Sequence, residues 1–522
     1  MQSEFTGNNV RSSINDIAYP AIFFIVTILT RLPFTSRLLY HWDSVQFALG
    51  LEDYDITVHQ PHPPGYFLYV MLGRLVYFFI RDANYALIII NIFFSGFTVV
   101  TIYFLGKEIF GKKAGVFAAV IAITSPNLWF HGEVALTYIV ESFFSSLIAL
   151  LCWRILRGRH GYLWLSVIAL GISGGIRQNT MVFLLPLWLY SVKKLPIRKF
   201  ILSIGLLGIV CLLWFVPMIW MTGGWNTYIS ALRELWQFHA GRASVFEQGY
   251  AAFILFSSIL VRFIAYSIGA GVFTLVMAAY LLIRHKNTGI MDRSTAFFFL
   301  LWIMPSVLFF LLIFIEPSNP GYVLIFIPAL ILLIPASVIH VSNDLNLLTA
   351  KDFSYVISMV IIITNIAVFC FHNEMSCREI RSHDRNLSVL FDGIKKFSTS
   401  NTAVFVEPYI FYGYRQIMYY LPEYRVYLVD ARVSPSGERR KTFWGLKRKT
   451  FISDIVTLSG DVNNFVIPSF SDKRDKVTRR ESVSVTRLSF GMFIAAGSVD
   501  FVRKVFPQLE IIKEGELAGL TE

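Results

Sequence analysis

Two neighbouring stretches decide how this chain folds: the apolar run 17-IAYPAIFFIVTILTRL-32 and the polar loop behind it, which contains 40-YHWDS-44 and 59-HQPHPPGY-66. No small-residue cleavage site follows the apolar run, so it predicts a first membrane span rather than a signal peptide. A span needs ~20 residues at the rise of an α-helix. Apolar runs recur along the chain and predict about 11 transmembrane helices, at 17–33, 86–106, 114–131, 136–153, 162–176, 180–192, 200–221, 262–283, 295–315, 321–341 and 354–371.

The composition excludes an ordinary soluble protein. Hydrophobic residues make up 55% of the 522 residues and charged residues only 15%, against about 25% charged residues in soluble domains. The net charge of +12 does not indicate a nucleic-acid partner, because the 46 basic residues divide into 23 before residue 372 and 23 after it. Those of the first part cluster in short loops, where they orient the chain in the lipid bilayer.

The basic residues also predict the topology. Fourteen Lys and Arg lie in the loops near 107–113, 154–159, 193–199, 284–293 and 351, and six lie in the alternate loops. The richer set predicts the cytoplasmic side, with the amino terminus inside and the carboxy-terminal part outside a bacterial inner membrane. The predicted outward loops are 34–85, 131–135, the turn near Arg177, 222–261 and the turn at 316–320.

The composition changes near residue 372 to that of a soluble, charged segment. We therefore predict a multi-span membrane domain at 1–371 and a soluble extracytoplasmic α/β domain at 372–522. Strand-like runs in the second domain lie at 403–407, 425–429, 464–467 and 492–496. The fold class is thus an all-α polytopic membrane protein with a small α/β carboxy-terminal domain. Of the four cysteines, only Cys370 and Cys377 are placed to pair outside the membrane, and the sequence leaves this open.

Asp43 is the strongest catalytic candidate of the first outward loop. It follows the first span closely, so it is expected at the membrane–water boundary, where a low dielectric raises the pKa of a carboxyl group toward that of a general base. The alternative is that Asp43 caps a helix that begins at Ser44 or Val45, with Trp42 as an interfacial aromatic anchor. Residue chemistry alone leaves both open.

The run from His59 to Tyr66 is rigid because its prolines fix φ. It predicts the start of a helix over 65–80 at the outer surface, and it also presents His59 and His62, which suit contacts with a phosphate or sugar hydroxyl. A metal site formed by the two histidines with Asp53 or Asp55 is conceivable, but their spacing is not diagnostic. A bound divalent cation therefore stays an open question.

These residues carry a resemblance to a known superfamily. Asp43-Ser44, the HPPGY element and the Leu68-Tyr69 pair behind it look like the first-loop signature of GT-C glycosyltransferases, and are similar to the O-mannosyltransferase and aminoarabinose transferase group. The likeness continues through 105-LGKEIFGKK-113 and 131-HGEV-134. Gln46 departs from the pattern, since the similar O-mannosyltransferase-like proteins carry Glu in this position. Tyr138 stands near the position of an Asp in the aminoarabinose transferases.

The resemblance implies roles for individual residues. Asp43 would be the general base, and Glu133 would position the acceptor, the sugar or a metal. Arg177 would lie near the lipid phosphate, although an arginine between two apolar runs is also typical of an interfacial side chain that snorkels to the surface. The further candidates for binding the donor or substrate are His59, His62, Tyr66 and Trp42.

The implied function is transfer of a sugar from a polyprenyl-phosphate-linked donor to a glycan, lipid or protein acceptor at the outer face of the membrane. Two rival functions remain, a transporter or flippase of lipid-linked sugars and a non-catalytic scaffold of the same fold. A transporter predicts ionisable groups within the spans, and the predicted spans carry almost none apart from Glu141.

Overall fold

The structure is a computed structural model of the full chain. It describes residues 2–238, 243–284, 291–344, 350–406, 411–429, 455–458, 461–470, 484–488, 492–506 and 510–513. These residues group into two compact units. The first contains residues 1–35 and 66–380, and the second contains residues 36–65 and 381–522.

The first unit is helical throughout the part that the structure describes. Its helices are α1 (Gln2–Arg31), α3 (Phe67–Ile80), α4 (Ala83–Phe110), α5 (Lys112–Thr124), α6 (Pro126–His131), α7 (Tyr138–Leu156), α8 (Leu163–Ile176), α9 (Gln178–Val192), α10 (Ile197–Met221), α11 (Trp225–Phe238), α12 (Val245–Gln248), α13 (Tyr250–Ile268), α14 (Gly271–Arg284), α15 (Arg293–Leu312), α16 (Ile327–Asp344) and α17 (Ala350–Phe371). Helix α18 (Cys377–Ile394) leads from this unit into the second.

Six helices of the described residues are long and apolar enough to cross a membrane: 17–34, α4, α7, α10, α13 and α15. Shorter apolar segments lie at Phe67–Ile80, His160–Ile176, Gly271–Tyr280, Ile327–Val338 and Tyr355–Phe371. Small residues let some of these helices approach closely. A Cβ on Gly115 of α5 would lie 2.7 Å from the backbone oxygen of Tyr103 in α4. The predicted polytopic membrane fold is confirmed.

Three of the predicted segments are wrong in detail. The expected outward loop 222–261 contains helix α11 and most of α13, a 19-residue apolar helix. The expected span 262–283 is broken at Gly269, which has a φ of +52° and separates α13 from α14. A second break falls inside 114–131, where α5 ends before Pro126 because proline lacks the N–H that helix continuation needs.

The second unit contains the predicted α/β fold. Its strands are β1 (Thr402–Val406), β2 (Arg425–Leu428), β3 (Ile455–Leu458), β4 (Asn464–Phe470), β5 (Ser484–Arg487), β6 (Met492–Gly497) and β7 (Glu510–Lys513). Five form one sheet in the order β2-β1-β4-β6-β5, with β1 parallel to β2 and β4, and with β6 antiparallel to β4 and β5. Strands β3 and β7 pair separately. Residue 407 of the predicted first strand lies outside the described residues.

The helices of the second unit are α2 (Trp42–Glu52), the rest of α18 after residue 380, α19 (Tyr414–Tyr420) and α20 (Val499–Val505). The core of its sheet is apolar, with Phe405, Phe465 and Phe493 at 0–2% exposure. Burial of side chains of this size stabilises the sheet by about 1.5–3 kcal/mol each. The sheet therefore supports α19 and, through it, α2.

The first loop belongs to the second unit, which the sequence analysis did not anticipate. The carboxylate of Asp384 accepts hydrogen bonds from the amides of Arg37 and Leu38 at 3.0–3.1 Å and from the hydroxyl of Ser36 at 3.2 Å. The hydroxyl of Tyr420 accepts another from the amide of Leu39 at 2.8 Å. The domain boundary at residue 371, the sidedness and the number of spans stay predictions.

The cysteines are all free thiols. Cys370 and Cys377 lie close together, with the sulfur of Cys377 at 3.7 Å from the carbonyl oxygen of Cys370, but they form no disulfide. The pairing that the sequence left open is therefore not present.

Candidate functional site

Helix α2 carries Asp43 in its first turn, and His41 caps the helix. His41 Nδ1 accepts a hydrogen bond from the amide of Asp43 at 3.0 Å, and the hydroxyl of Ser44 accepts one from the amide of His41 at 3.3 Å. This arrangement satisfies amides that a helix start leaves unpaired. The alternative that Asp43 is the cap is therefore wrong, because the helix starts at Trp42 and the Asp43 carboxylate is left for other contacts.

Two imidazole rings flank the carboxylate of Asp43. Its Oδ2 lies 3.6 Å from His41 Nδ1, and its Oδ1 lies 3.6 Å from His62 Nδ1. Because His41 Nδ1 already accepts a hydrogen bond from an amide, its ring is neutral, and its approach to Asp43 is not an ion pair. The Asp43 side chain remains 20% exposed. It is thus positioned by its neighbours and still accessible to solvent.

Gln46 determines how His62 is oriented. Its Oε1 accepts hydrogen bonds from the backbone amide of His62 at 3.1 Å and from Nδ1 of the same ring at 2.5 Å. Since an amide oxygen only accepts, the proton of the imidazole lies on Nδ1. Gln46 is buried within α2. The residue that departs from the O-mannosyltransferase-like pattern is therefore a support for His62.

The other loop residues do not form a metal site. His59 is buried, with a left-handed φ of +58° at the end of a 3₁₀ turn. The Asp55 carboxylate accepts hydrogen bonds from the amide and the hydroxyl of Thr57 and so closes a local turn. Within the described ranges, no three His, Cys, Asp or Glu side chains are grouped in a way that could hold a metal ion. The conceivable site of His59, His62 and Asp53 or Asp55 is not assembled.

Trp42 contacts an arginine from the carboxy-terminal part of the chain. The guanidinium carbon of Arg415 lies 5.2 Å from the centre of the Trp42 ring and 5.5 Å from that of Tyr414. Arg415 Nη1 donates a hydrogen bond to the carbonyl oxygen of His59 at 3.5 Å. Arg415 is fully buried, and burial lowers its pKa, while the neighbouring Tyr414 and the charge of Asp43 oppose this change.

The histidines next to this contact are neutral. Burial lowers the pKa of His41, and the nearby Asp43 carboxylate offsets part of that effect. Burial also lowers the pKa of His383 in α18 to about 4, although a hydrogen bond from its Nε2 to the carbonyl oxygen of Phe411 at 2.8 Å favours the charged form. The centre of the His383 ring lies 4.5 Å from that of Tyr40, with the two ring planes tilted by 42°. Both side chains therefore contact the loop as uncharged groups.

A second cluster surrounds Arg177 in the first unit. Arg177 lies between α8 and α9, its side chain is 7% exposed, and its Nε is 3.7 Å from Oε2 of Glu141. The other oxygen of Glu141 accepts a hydrogen bond from the hydroxyl of Thr180 at 2.9 Å. The alternative of an arginine that snorkels to the surface is therefore wrong. Arg177 is buried and paired with the one ionisable residue that the sequence analysis noted within a span.

Three tyrosine rings surround the same guanidinium. Its carbon lies 4.3 Å from the ring centre of Tyr138, 5.1 Å from that of Tyr322 and 5.9 Å from that of Tyr66. Such contacts favour a cation in a desolvated setting. The Asn319 side chain donates a hydrogen bond to the Tyr138 hydroxyl at 3.2 Å. Gly321 is required beside it, because a Cβ in its place would collide with the ring of Tyr138.

Glu133 lies in the interior of the first unit. It is fully buried, and its charge interacts with that of Arg31. Arg31 in turn stacks on Trp129 at 4.9 Å and donates a hydrogen bond to the carbonyl oxygen of Ile123 at 2.8 Å. Whether Glu133 also acts on a substrate stays a prediction.

The structure therefore brings Asp43, Trp42, His59 and His62 together in the second unit, and Arg177 and Tyr66 together in the first. Sequence reasoning missed Arg415, His383 and Asp384, which lie more than 300 residues from the loop that they contact. It noted Glu141 but did not pair it with Arg177. The Arg177 environment was partly visible in the sequence, because Tyr138 had been noticed for another reason.

These features define the class of protein. The chain superimposes on the crystal structure of ArnT from Cupriavidus metallidurans bound to undecaprenyl phosphate with a TM-score of 0.57 and 11% sequence identity, and the match covers 93% of this chain and 98% of that one. Apo ArnT from the same organism matches with a TM-score of 0.55 and 11% identity, over 94% and 99% of the two chains. The protein therefore has the fold of the GT-C membrane glycosyltransferases.

The sequence adds a resemblance to one particular family. Residues 54–197 match the family model described as the protein O-mannosyl-transferase TMEM260 N-terminal domain. The match begins within the first loop and includes the HPPGY element, Glu133, Glu141 and Arg177. No curated protein matches the sequence. The description of the matched family is that of a protein O-mannosyl-transferase, and the predicted resemblance is confirmed.

Proposed function

We propose that this protein is a glycosyltransferase that moves a sugar from a polyprenyl-phosphate-linked donor to an acceptor at the outer face of a bacterial inner membrane, with Asp43 as the general base. The observation that carries the proposal is the setting of Asp43. Its carboxylate lies on the first turn of a capped helix, 3.6 Å from each of two imidazoles, and remains 20% exposed. The ArnT neighbour was crystallised with undecaprenyl phosphate, which supports a lipid-phosphate donor.

The reaction needs one base and a leaving group. The acceptor hydroxyl oxygen attacks the anomeric carbon of the sugar, and its proton passes to the Asp43 carboxylate. The bond between the anomeric carbon and the phosphate oxygen breaks, and the polyprenyl phosphate leaves with the electron pair. A phosphate is a good leaving group, so the protein supplies mainly positioning and charge stabilisation. His62, which Gln46 orients, is suited to align the acceptor beside Asp43.

Arg177 is proposed to bind the phosphate of the donor, with Tyr66 beside it. Its Nε approaches Glu141 at 3.7 Å, which is longer than a hydrogen bond. A guanidinium of this kind retains N–H donors that match phosphate oxygens. Glu133 is proposed to maintain the second outward loop through its interaction with Arg31. Trp42 and His59 are proposed to shape the site around Asp43.

The test is a transfer assay with radiolabelled polyprenyl-phosphate sugars in membranes that contain the protein. We expect Asp43→Asn to lower transfer by about 10²–10⁴-fold, as is typical for removal of a general base. Glu52→Gln is the matched control, because Glu52 is an exposed carboxylate at the end of the same helix. Equal transfer by the wild-type protein and Asp43→Asn would remove Asp43 from the mechanism.

The transporter alternative rests on one observation, the buried pair of Arg177 and Glu141 in a helical membrane unit. Buried charges of this kind are typical of transport pathways. A transporter would move the lipid-linked sugar with its phosphate bond intact. Accumulation of translocated but uncleaved donor by purified protein would therefore favour it over the transferase.

A further inference from the structure

Arg415 is a buried cation that the proposed chemistry has not used. Its side chain is fully buried, and its Nε and Nη2 have no hydrogen-bond partner among the residues that the structure describes. Its hydrogen bond to the His59 carbonyl oxygen, at 3.5 Å, is long. Burial of a guanidinium without a paired carboxylate is costly.

The position of Arg415 is set by packing against the loop that carries Asp43. Helix α19, which contains Arg415, packs against α2. The guanidinium carbon lies 5.2 Å from the ring centre of Trp42, the residue directly before Asp43. The two attachment points, Trp42 and the His59 carbonyl, lie at the start of α2 and at the beginning of the run from His59 to Tyr66. Arg415 thus contacts both ends of segment 42–59, which contains Asp43.

Arg415 supplies a positive charge that interacts with the Asp43 carboxylate. His41 is neutral, since its Nδ1 accepts from an amide, and His62 gives its Nδ1 proton to a neutral amide oxygen. Burial raises the pKa of Tyr414 to about 12, so this phenol carries no charge at neutral pH. A guanidinium stays positively charged across the neutral range, and the charge of Arg415 interacts with that of Asp43.

We propose that Arg415 is a positioning residue for Asp43: it holds Trp42 and the His59 carbonyl in place and supplies the positive charge that keeps the Asp43 carboxylate ionised. This inference rests on the proposed role of Asp43 as general base. It assigns a function to the carboxy-terminal α/β unit, which contributes Arg415 from more than 350 positions along the chain. The unit is then part of the catalytic machinery rather than an accessory.

The test is the pH profile of transfer by the full-length protein in membranes. Below a certain pH the rate falls, because Asp43 becomes protonated. In Arg415→Gln, the loss of a nearby positive charge moves this acid-side fall to higher pH by about one unit. Arg415→Lys keeps the charge and leaves the position of the fall unchanged. Arg425→Gln is the control, because Arg425 is a half-buried cation of the same unit.

The outcomes separate this inference from the proposed function. An acid-side fall that does not move in Arg415→Gln, while the wild type transfers sugar, overturns the role of Arg415 and leaves the transferase intact. No transfer by the wild type with any lipid-phosphate sugar overturns the transferase itself. If Arg415→Gln fails to accumulate in the membrane, Arg415→Met takes its place, because it also removes the charge but fills the space with an apolar side chain. A fall that moves to higher pH in Arg415→Met supports the proposal, and an unmoved fall contradicts it.

Discussion

Gln46 Oε1 accepts two hydrogen bonds from His62, one from the backbone amide at 3.1 Å and one from Nδ1 at 2.5 Å. The pair spans 16 positions and joins α2 to the HPPGY run within the second unit. Because His62 Nδ1 also lies 3.6 Å from Asp43, Gln46 orients a ring that touches the proposed base. A glutamine is sufficient for this role, since the role requires only an acceptor.

Replacement of Gln46 by Met is expected to lower transfer by about tenfold. It removes the acceptor, so the amide and the Nδ1 proton of His62 lose their partner, at a cost of about 1–3 kcal/mol. The measurement is the steady-state rate with saturating donor. Gln60→Met is the matched control, because Gln60 is a buried glutamine of the same loop. Its side-chain N–H donates a hydrogen bond to the backbone oxygen of Asp53 rather than contacting His62. Equal losses in the two variants would show that loop packing, and not His62, is responsible.

The contributions of the buried residues Arg177 and Glu141 to the free energy of unfolding are expected to be coupled. Removal of one partner leaves the other charge buried, at about 3–5 kcal/mol. Arg177→Gln and Glu141→Gln should each lower the unfolding temperature markedly, and the double variant should be less destabilised than the sum of the two. Thr180→Val, which removes only the hydroxyl that donates to Glu141, should cost about 1 kcal/mol. Additive losses in the double variant would contradict the pairing.

The lowered pKa of His383 predicts how the free energy of unfolding changes with pH. Burial lowers its pKa to about 4 in the folded protein, against ~6.5 in an unfolded chain. The unfolded chain therefore binds more protons between these two values, and stability falls as the pH is lowered from about 6.5 to about 4. The loss reaches roughly 3 kcal/mol, at 1.36 kcal/mol for each pH unit.

The check is the unfolding temperature of the wild type and His383→Asn across this range. The variant should lack the part of the acid-induced loss that His383 causes, so the difference between the two proteins should shrink toward low pH. A difference that stays constant from pH 7 to pH 4 would show that His383 is not held neutral by burial. Other acidic groups affect both proteins alike and cancel in the comparison.

The membrane fold and the loop that carries Asp43 were predictable from the sequence, because apolar length and a short rigid motif are local properties. The first turn of α2 was not, since the choice of His41 over Asp43 as the cap depends on where the Asp43 carboxylate finds other contacts. An aspartate in this position also looks the same in a sequence whether it caps the helix or acts as a general base.

Contacts between distant parts of the chain could not be predicted from the sequence, because they too depend on tertiary packing. Arg415 and Asp384 follow no motif, and each meets the first loop only because α18 and α19 fold against it. The break at Gly269 was missed because the apolar run continues across it, and only its positive φ marks the end of α13. Local pattern identifies the loop, and tertiary packing completes it.

The most direct test of the central claim is to follow the bond between sugar and phosphate with purified protein in lipid nanodiscs. Donor with a labelled sugar is supplied together with membrane-derived acceptors. The account predicts that the wild type releases polyprenyl phosphate and glycosylated acceptor in equal amounts, and that Asp43→Asn releases neither above background. The account would be contradicted if the folded wild-type protein left the donor intact. It would also be contradicted if Asp43→Asn released as much product as the wild type.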